Sequence, residues 1–376
     1  MLKRLLGVGL AAVALSASNV AAQVEIEANA MAINLTGRLH AMWDYSSASE
    51  DLSSVFLIRR ARLTMEIEVN DFISGKIQPE FSTGFSLENG LRLKDAYVDM
   101  TFAPEFRVRM GQFKRPFDLF ELTSSTQTLV IERTGVVRGV DPSCAGVGSI
   151  CSYSRLTEKL GYSERDVGLM IGGVIDDNWV WSASFTNGTI FEDVVRFISE
   201  DDTTEVFSEG KSFGGRLEYR GDKLRVGANA AAHDFANDST LDEVDYGFAY
   251  GADLEWGSYT SGLHVQAGIT AGDNWRDLDT DGDPTFFWTT QGIVTYKIPV
   301  SNNRFVEAIE PVGRVSYADL DAEATDEQIN EGLLLTPGFV VYFIGRNKVA
   351  LNVDIFAPGD DNDTEYSVKV MSYLHF

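Results

Sequence analysis

The sequence is poor in positive charge and in long hydrophobic stretches. Its 31 lysines and arginines are outnumbered by 56 aspartates and glutamates, which gives a formal net charge of −25 at pH 7. Binding of nucleic acid requires clustered basic residues against the phosphates, so this balance argues against nucleic acid as a partner. Beyond the N-terminus, no apolar stretch reaches the roughly 20 residues that a transmembrane helix requires. Any membrane crossing must therefore use another kind of structure.

Cysteine is also scarce, with only Cys144 and Cys151 in the whole chain, inside a segment rich in glycine and serine. A structural zinc site takes four ligands, and neither a histidine nor a second cysteine pair lies near these two. In a protein exported to an oxidising compartment, such a pair is expected to close a small disulfide loop.

The N-terminus has the three parts of a secretory signal peptide. Lys3 and Arg4 form a positive head, and residues 5–17 form an apolar run that is too short for a permanent transmembrane helix. Val20 and Ala22 then supply the small side chains that a signal peptidase recognises. We expect residues 1–22 to be removed and residues 23–376 to form a single exported domain.

Side chains alternate between apolar and polar over long stretches of the exported part. In residues 33–45 the odd positions are apolar, aromatic or small and the even positions are mostly polar, and residues 246–256 and 349–355 repeat the pattern. Soluble sheet proteins also alternate, but their strands average five or six residues, whereas several runs here reach ten or more. The pattern predicts an all-β fold, a transmembrane antiparallel β-barrel. The alternative is a soluble exported β-sheet binding protein.

Sixteen such runs can be counted, and the connections between them are alternately short and long. Barrels of bacterial outer membranes have short periplasmic turns, longer outer loops and an even number of strands. The longest gap, residues 114–163, separates the fifth and sixth runs, and we expect this third loop to fold into the pore and narrow it. The last strand ends on Phe376, which resembles the assembly signal of outer-membrane barrels.

Three segments resemble the phosphate-selective porin O and P family. They are Phe-Leu-Ile-Arg-Arg-Ala-Arg-Leu at 56–63, Lys-Asp-Ala-Tyr-Val at 94–98 and Gly-Gln-Phe-Lys-Arg-Pro-Phe at 111–117, and the match continues through the third loop to about residue 135. The resemblance implies a sixteen-stranded homotrimeric barrel in the outer membrane of a Gram-negative bacterium. It also implies passive diffusion of small hydrophilic solutes, in particular anions such as phosphate.

The resemblance also assigns candidate site residues. It places arginines at the third-loop constriction, and the residues implied to line it or to hold a passing anion are Arg59, Arg60, Arg133, Asp95, Ser124 and Lys114. Arg59 has the apolar parity of its strand, and a β-bulge at this point would turn both neighbouring arginines inward. One position departs from the family pattern, since phosphate-selective members have a lysine where this chain has Glu121.

Residues 277–283 copy the beginning of a calcium-binding loop, with Asp277, Asp279 and Asp281 in the ligand positions. The twelfth position is Trp288 instead of the usual bidentate glutamate, so the sequence predicts at most a low-affinity Ca²⁺ contact in an outer loop and no other cofactor. A barrel hydrolase is a further alternative, but no nucleophile motif accompanies any of the four histidines. The sequence therefore predicts a channel and no enzyme.

Overall fold

A computed structural model of the chain describes most of residues 23–376. The described residues are 24–25, 32–49, 53–81, 91–135, 137, 152–188, 211–235, 245–278, 283–320, 331–359 and 363–376. Two helices occur among them, α1 (Leu119–Leu122) and α2 (Tyr153–Lys159). Neither has the length and hydrophobicity needed to cross a membrane.

Almost all other regular structure in the described residues is β-strand. The strands are β1 (Val24–Glu25), β2 (Ala32–Ser46), β3 (Ser54–Glu68), β4 (Ile73–Phe81), β5 (Leu91–Ala103), β6 (Phe106–Lys114), β7 (Arg165–Ile175), β8 (Trp179–Thr186), β9 (Ser212–Arg220), β10 (Leu224–Asp234), β11 (Tyr246–Gly257), β12 (Gly262–Leu278), β13 (Pro284–Pro299), β14 (Ala308–Asp319), β15 (Glu331–Tyr342), β16 (Lys348–Pro358) and β17 (Glu365–His375).

The strands close into a single barrel. From β2 to β17 each strand pairs antiparallel with the next, and β17 pairs back with β2 from Ser367 opposite Ser46 to His375 opposite Arg38. The two-residue strand β1 adds only a brief pairing to the start of β2. This pairing confirms the predicted sixteen-stranded antiparallel barrel. Closure lets every strand form backbone hydrogen bonds on both sides and leaves no open edge.

Strand β14 shows how alternation separates the two faces of the wall. Ile309 and Val315 are exposed on the outside, whereas Glu310, Arg314 and Ser316 point inward and are buried. The period of two residues places every second side chain on the same face. The outer surface is consequently apolar and the interior is polar, as in a membrane barrel with a water-filled lumen.

Aromatic rings mark the two ends of the wall. At the end with the short turns, Phe102 packs against Phe72 and Phe106 with ring centroids 5.0 and 5.6 Å away. At the end with the long connections, Phe213 packs against Phe185 and Tyr246 at 5.2 and 6.2 Å. Outer-membrane barrels carry such aromatic girdles at both membrane interfaces.

One predicted loop is wrong at its beginning. The calcium-loop-like segment, residues 277–283, was expected to lie in an outer loop, but β12 continues to Leu278, which pairs with Pro284 at the start of β13 after an irregularity beyond Asn274. Asp277 therefore lies in a strand instead of opening a free calcium-binding loop. Its side chain, together with Asp279 and Asp281, lies outside the described residues, as do residues 1–22 and both cysteines.

Candidate pore constriction

The connection from β6 to β7, residues 115–164, is called the third loop below; its described parts, residues 115–135, 137 and 152–164, enter the barrel. Asp118 caps the N-terminus of α1, where its side-chain oxygen accepts a hydrogen bond from the Glu121 N–H at 2.6 Å. The N–H of Leu119 donates to Asp253 on β11 at 3.1 Å, and the N–H of Tyr153 in α2 donates to Ser316 on β14 at 2.9 Å. Both helices are thus tied to the far wall, so the third loop lies in the lumen as predicted.

Apolar packing holds one side of the third loop. We call this cluster the apolar anchor; the loop contributes Phe117, Val137, Leu156, Leu160 and Tyr162, and the wall from β10 to β16 contributes residues that include Phe235, Trp275, Phe287, Leu334 and Phe356. The Tyr162 hydroxyl also donates to the Asp273 carbonyl at 2.7 Å. Since these loop side chains are fully buried, they fill the lumen on this side by close packing against the wall.

Ion pairs hold the opposite side of the third loop, and a β-bulge in β3 turns one of the participating arginines into the lumen. His40 pairs with Arg60 and Ala41 pairs with Ile58, so Arg59 is the extra residue of the bulge. Arg59 binds Glu132 of the third loop through Nε at 2.5 Å and Nη2 at 3.1 Å, and Arg60 binds the same carboxylate at 3.0 Å. Both arginines face the lumen, as the irregular parity suggested.

Glu132 is therefore the ionic centre of this contact. Burial by itself would raise the pKa of its carboxyl group, but the guanidinium groups of Arg59 and Arg60 outweigh burial and hold that pKa well below its usual value. The carboxylate stays ionised at neutral pH and neutralises part of the arginine charge.

Arg133 and Lys114 converge on Glu121. Arg133 binds this carboxylate through Nη1 at 2.8 Å and donates to the carbonyls of Phe120 and Thr123 at 2.7 and 2.9 Å. The Lys114 ammonium lies 3.0 Å from the other carboxylate oxygen and also donates to the Glu121 backbone carbonyl. The residue that departs from the family pattern is thus the common partner of two predicted site cations.

Asp95 and Ser124 occupy different surroundings. Asp95 accepts from Arg165 Nε at 2.7 Å and has Lys76 at 3.6 Å, so it belongs to the charged wall of β4 to β7. Ser124 is exposed in the third loop, where its hydroxyl lies 3.0 Å from that of Thr126. The six predicted residues therefore form four separate groups of contacts: Arg59 and Arg60 at Glu132, Arg133 and Lys114 at Glu121, Asp95 on the charged wall, and Ser124 in the third loop.

Two residues that were not assigned to the site by resemblance are central to it. Arg38 on β2 donates through Nη1 to the Ser125 hydroxyl at 2.8 Å, and within the described ranges no carboxylate forms an ion pair with it. Arg62, which is paired with Glu80, also reaches Ser125 at 3.3 Å. The inward parity of Arg38 was the only sequence signal for this role, because Ser125 becomes its neighbour only when the third loop folds inward.

The third loop passes close to the wall at Arg314. This buried side chain donates through Nη1 to the carbonyls of Glu132 and Arg133, both at 2.8 Å, and through Nη2 to Asp354 at 2.8 Å. Gly135 has φ of 61°, and a Cβ there would lie 2.5 Å from Arg314 Nη2. Only glycine allows the backbone both this conformation and this approach.

Comparison with known proteins agrees with this architecture. The model of the family "Phosphate-selective porin O and P" matches residues 33–275, which is more than half of the chain. The chain belongs to this porin family. An uncharacterized protein of Aquifex aeolicus (strain VF5) is 23% identical over 390 residues, covering 88% of the porin described here and 82% of the relative.

Solved porins share the fold of this family member. Salmonella typhi OmpF, in a complex with daunomycin, aligns with a TM-score of 0.60 and 13% identity over 94% of this chain and all of its own. The anion-selective porin from Comamonas acidovorans aligns with a TM-score of 0.60 and 11% identity over 92% of this chain and all of its own. The porin is accordingly an outer-membrane diffusion channel, with its short turns at the periplasmic end.

Proposed function

We propose that this porin prefers small anions, phosphate among them, and that the excess of arginine on the β2–β3 side of the constriction sets the preference. Four guanidinium groups, those of Arg38, Arg59, Arg60 and Arg62, meet the third loop there. Two carboxylates, Glu80 and Glu132, balance them in part. Arg38, which lacks an ion-pair partner among the described residues, is the observation that carries the proposal.

An excess of arginine over carboxylate charge at the constriction has a strong effect on permeating ions, because a narrow, partly desolvated passage screens charge less than bulk water does. The Ser125 hydroxyl next to Arg38 adds a polar group that a dehydrated anion can contact. Arg133 and Lys114 add less, because Glu121 is shared between them. We therefore propose a preference for anions in general, without a site restricted to phosphate.

We also propose that the porin passes its solutes without chemical change. Among the residues that the structure describes, the pair most like a hydrolase arrangement is Ser212 and His233, with the Ser212 hydroxyl 2.7 Å from His233 Nδ1. Both side chains are buried beneath the third loop, and the His233 ring packs against Trp275 and Tyr162 at centroid distances of 5.4 and 6.5 Å. An ester substrate would have no approach to this serine, so the pair fits a structural role.

A homotrimer is proposed as the working assembly. The family resemblance implies it, and the structural neighbour OmpT of Vibrio cholerae has been solved in a trimer form, with a TM-score of 0.54 and 10% identity. Partial unfolding on SDS gels checks the assembly, since a trimer should migrate near three times the monomer mass before boiling and as a monomer after it.

Reversal potentials in a KCl gradient across a planar bilayer test the anion preference. Wild-type porin should pass Cl⁻ more readily than K⁺, and Arg38→Ala should lower the anion-to-cation permeability ratio by about threefold. Arg346→Ala removes the same charge from an exposed periplasmic turn and should leave the ratio unchanged. Equal ratios for wild type and Arg38→Ala would contradict the proposed role of Arg38, and a wild-type preference for K⁺ would contradict the proposed function.

A further inference from the structure

A cavity of about 510 Å³ lies on the periplasmic side of the third loop. The wall from β5 to β10 surrounds it, and Pro116 and Leu122 of the third-loop region cover it. We call it the periplasmic cavity. Its volume falls within the roughly 300–1,000 Å³ of small-molecule sites, so it is large enough to hold a solute in transit.

An apolar strip runs along one wall of the periplasmic cavity. The inward positions of β7 after Asp166 are Gly168, Met170, Gly172 and Val174, and Val174 pairs with Val180 at the inward start of β8. We call Met170, Val174 and Val180 the apolar strip; all three line the cavity. Barrel lumens are normally polar, so this strip is not explained by the need to hydrate a channel wall.

Arginines lie on both sides of the apolar strip. On β6, Arg109 pairs with Met170, and Arg107 pairs with Gly172. On the other side, Val180 pairs with Glu218 of β9, and Arg220 and Arg225 follow around the wall. Neighbouring strands are about 4.8 Å apart, so the guanidinium groups begin within one or two strand spacings of the apolar strip.

The charge that reaches the cavity surface is positive. Side-chain exposure is 41% for Arg107, 50% for Arg220 and 32% for Arg225. The carboxylates that partner them, Asp99 and Glu218, are only 8% and 3% exposed.

The two most exposed arginines retain free donors. Arg107 approaches Asp99 only at 3.7 Å, and Arg220 binds Glu218 through Nε, so the terminal N–H groups of both remain available within the described part of the chain. A solute in the cavity therefore meets N–H donors of arginine in front of buried carboxylates.

We infer that the periplasmic cavity is a binding site for small organic anions that join an apolar body to one carboxylate, such as aromatic monocarboxylates. This inference rests on the proposed anion preference and adds a class of solute to it. The apolar body displaces water from the apolar strip, and the carboxylate accepts hydrogen bonds from Arg107 or Arg220. Inorganic phosphate could use the arginines but would gain nothing from the apolar strip.

A series of potassium carboxylates tests the site in the complete porin. Acetate, butyrate and benzoate share the same charge, and each is added at fixed ionic strength while single-channel chloride current is recorded. The half-blocking concentration should fall from acetate to butyrate to benzoate, with benzoate blocking at about one tenth of the acetate concentration because it covers more apolar surface. An equal or reversed order overturns the inference.

Two matched valine variants test whether benzoate blocks the channel by binding at the apolar strip. Val174→Thr exchanges a methyl group for a hydroxyl on the apolar strip at nearly constant volume and should raise the half-blocking benzoate concentration by about threefold. Val167→Thr makes the same change on the outward, exposed face of β7 and should leave it unaltered. If Val174→Thr has no more effect than Val167→Thr, the strip is not the site.

The two proposals fail in distinguishable ways. The reversal potential in a KCl gradient reports the anion preference without any carboxylate present. A pore that prefers Cl⁻ but shows no benzoate order leaves the proposed function standing and overturns the site. A pore that prefers K⁺ removes the basis for both.

Discussion

The third loop is held in two different ways on its two sides. Towards β10–β16 it is packed by the apolar anchor, in which Leu156, Leu160 and Tyr162 are fully buried. Towards β2–β6 it is held by ion pairs, with Glu132 between Arg59 and Arg60 and Glu121 between Arg133 and Lys114. Apolar packing carries no titrating group, whereas ion pairs weaken as the salt concentration rises and as the pH falls far enough to protonate the carboxylate.

This difference assigns separate tasks to the two sides. The packed side fixes where the third loop lies, because close-packed side chains leave few alternative arrangements. The charged side borders the passage and sets its field, because its arginines retain partial exposure. A solute should therefore pass along the charged side. Variants of the packed side should mainly change the conductance, and variants of the charged side should mainly change the ion selectivity.

The largest expected effect comes from breaking the apolar anchor. Leu156→Ala leaves a cavity beneath α2 and should cost about 2–5 kcal/mol of the packing that holds the third loop. The loop should then occupy the lumen less firmly, so single-channel conductance should rise and the anion preference should fall. Leu217→Ala, on the half-exposed outer face of β9, is the control, and equal conductance for both variants would count against the anchor.

A smaller effect of a different kind is expected at Glu132. Glu132→Gln keeps the shape of the side chain but removes the charge shared by Arg59 and Arg60, at a cost of about 1–3 kcal/mol. Because two arginines lose their counter-charge, the anion-to-cation permeability ratio should rise while the conductance changes little. A lower ratio in KCl reversal-potential measurements would show that Glu132 does not restrain these arginines.

The local sequence pattern was sufficient to predict the strands of the barrel wall but not the contacts of the third loop. The strands alternate because one face meets lipid and the other meets water, so β14 could be bounded to within two residues of its observed limits at 308 and 319. The bulge at Arg59 was also visible, since one residue broke the parity. Both signals depend only on neighbouring residues along the chain.

The contacts of the third loop depend on how the chain returns on itself. Arg38 and Ser125 are 87 residues apart, and no period relates them. The family resemblance implied that Arg59, Arg60 and Arg133 contact a passing anion. It gave no sign that Glu132 binds the first two guanidinium groups and that Glu121 binds the third. Similarly, the extension of β12 to Leu278 through an acidic segment had no signal, because pairing with β13 overrides the local preference for a loop.

The ion-paired side should respond to pH through Glu121. Burial raises the pKa of this carboxyl group, and the neighbouring Glu164 carboxylate adds to the shift although Arg133 and Lys114 oppose it. Glu121 should therefore take up its proton earlier than an ordinary glutamate as the pH falls, and Arg133 and Lys114 would lose their counter-charge. The anion preference should rise as the pH is lowered from 7, and should begin to rise at a higher pH than the titration of an ordinary glutamate would allow.

Glu121→Gln isolates this contribution from that of other carboxylates. The variant should show the higher anion preference already at pH 7 and a flatter dependence on pH below it, as measured by reversal potentials over the same range. A wild-type preference that falls on acidification, or a variant with the same pH profile as wild type, would contradict the assignment to Glu121.

The smallest expected effect lies at the beginning of α1, where the two sides of the third loop meet. Burial raises the pKa of Asp118 to about 8, and the carboxylates of Glu121 and Asp253 contribute to the shift. Since an aspartate in the unfolded chain titrates near 3.9, the folded loop binds more protons than the unfolded chain between these values. Stability should therefore decrease as the pH rises through this window and level off above it.

Asp118→Asn keeps an oxygen that can cap the Glu121 N–H at the same position and removes the titration. We expect the thermal midpoint of wild-type barrel unfolding to decrease between pH 6 and pH 9, by a few degrees at most because one side chain is involved. The variant should lack this decrease. Because the Asp118 carboxyl group is already protonated and uncharged at pH 6, the substitution should leave both the conductance and the permeability ratio unchanged at that pH. Parallel midpoints for the two proteins across this range would mean that Asp118 is already ionised in the folded loop, and that the start of α1 belongs with the charged side rather than the packed one.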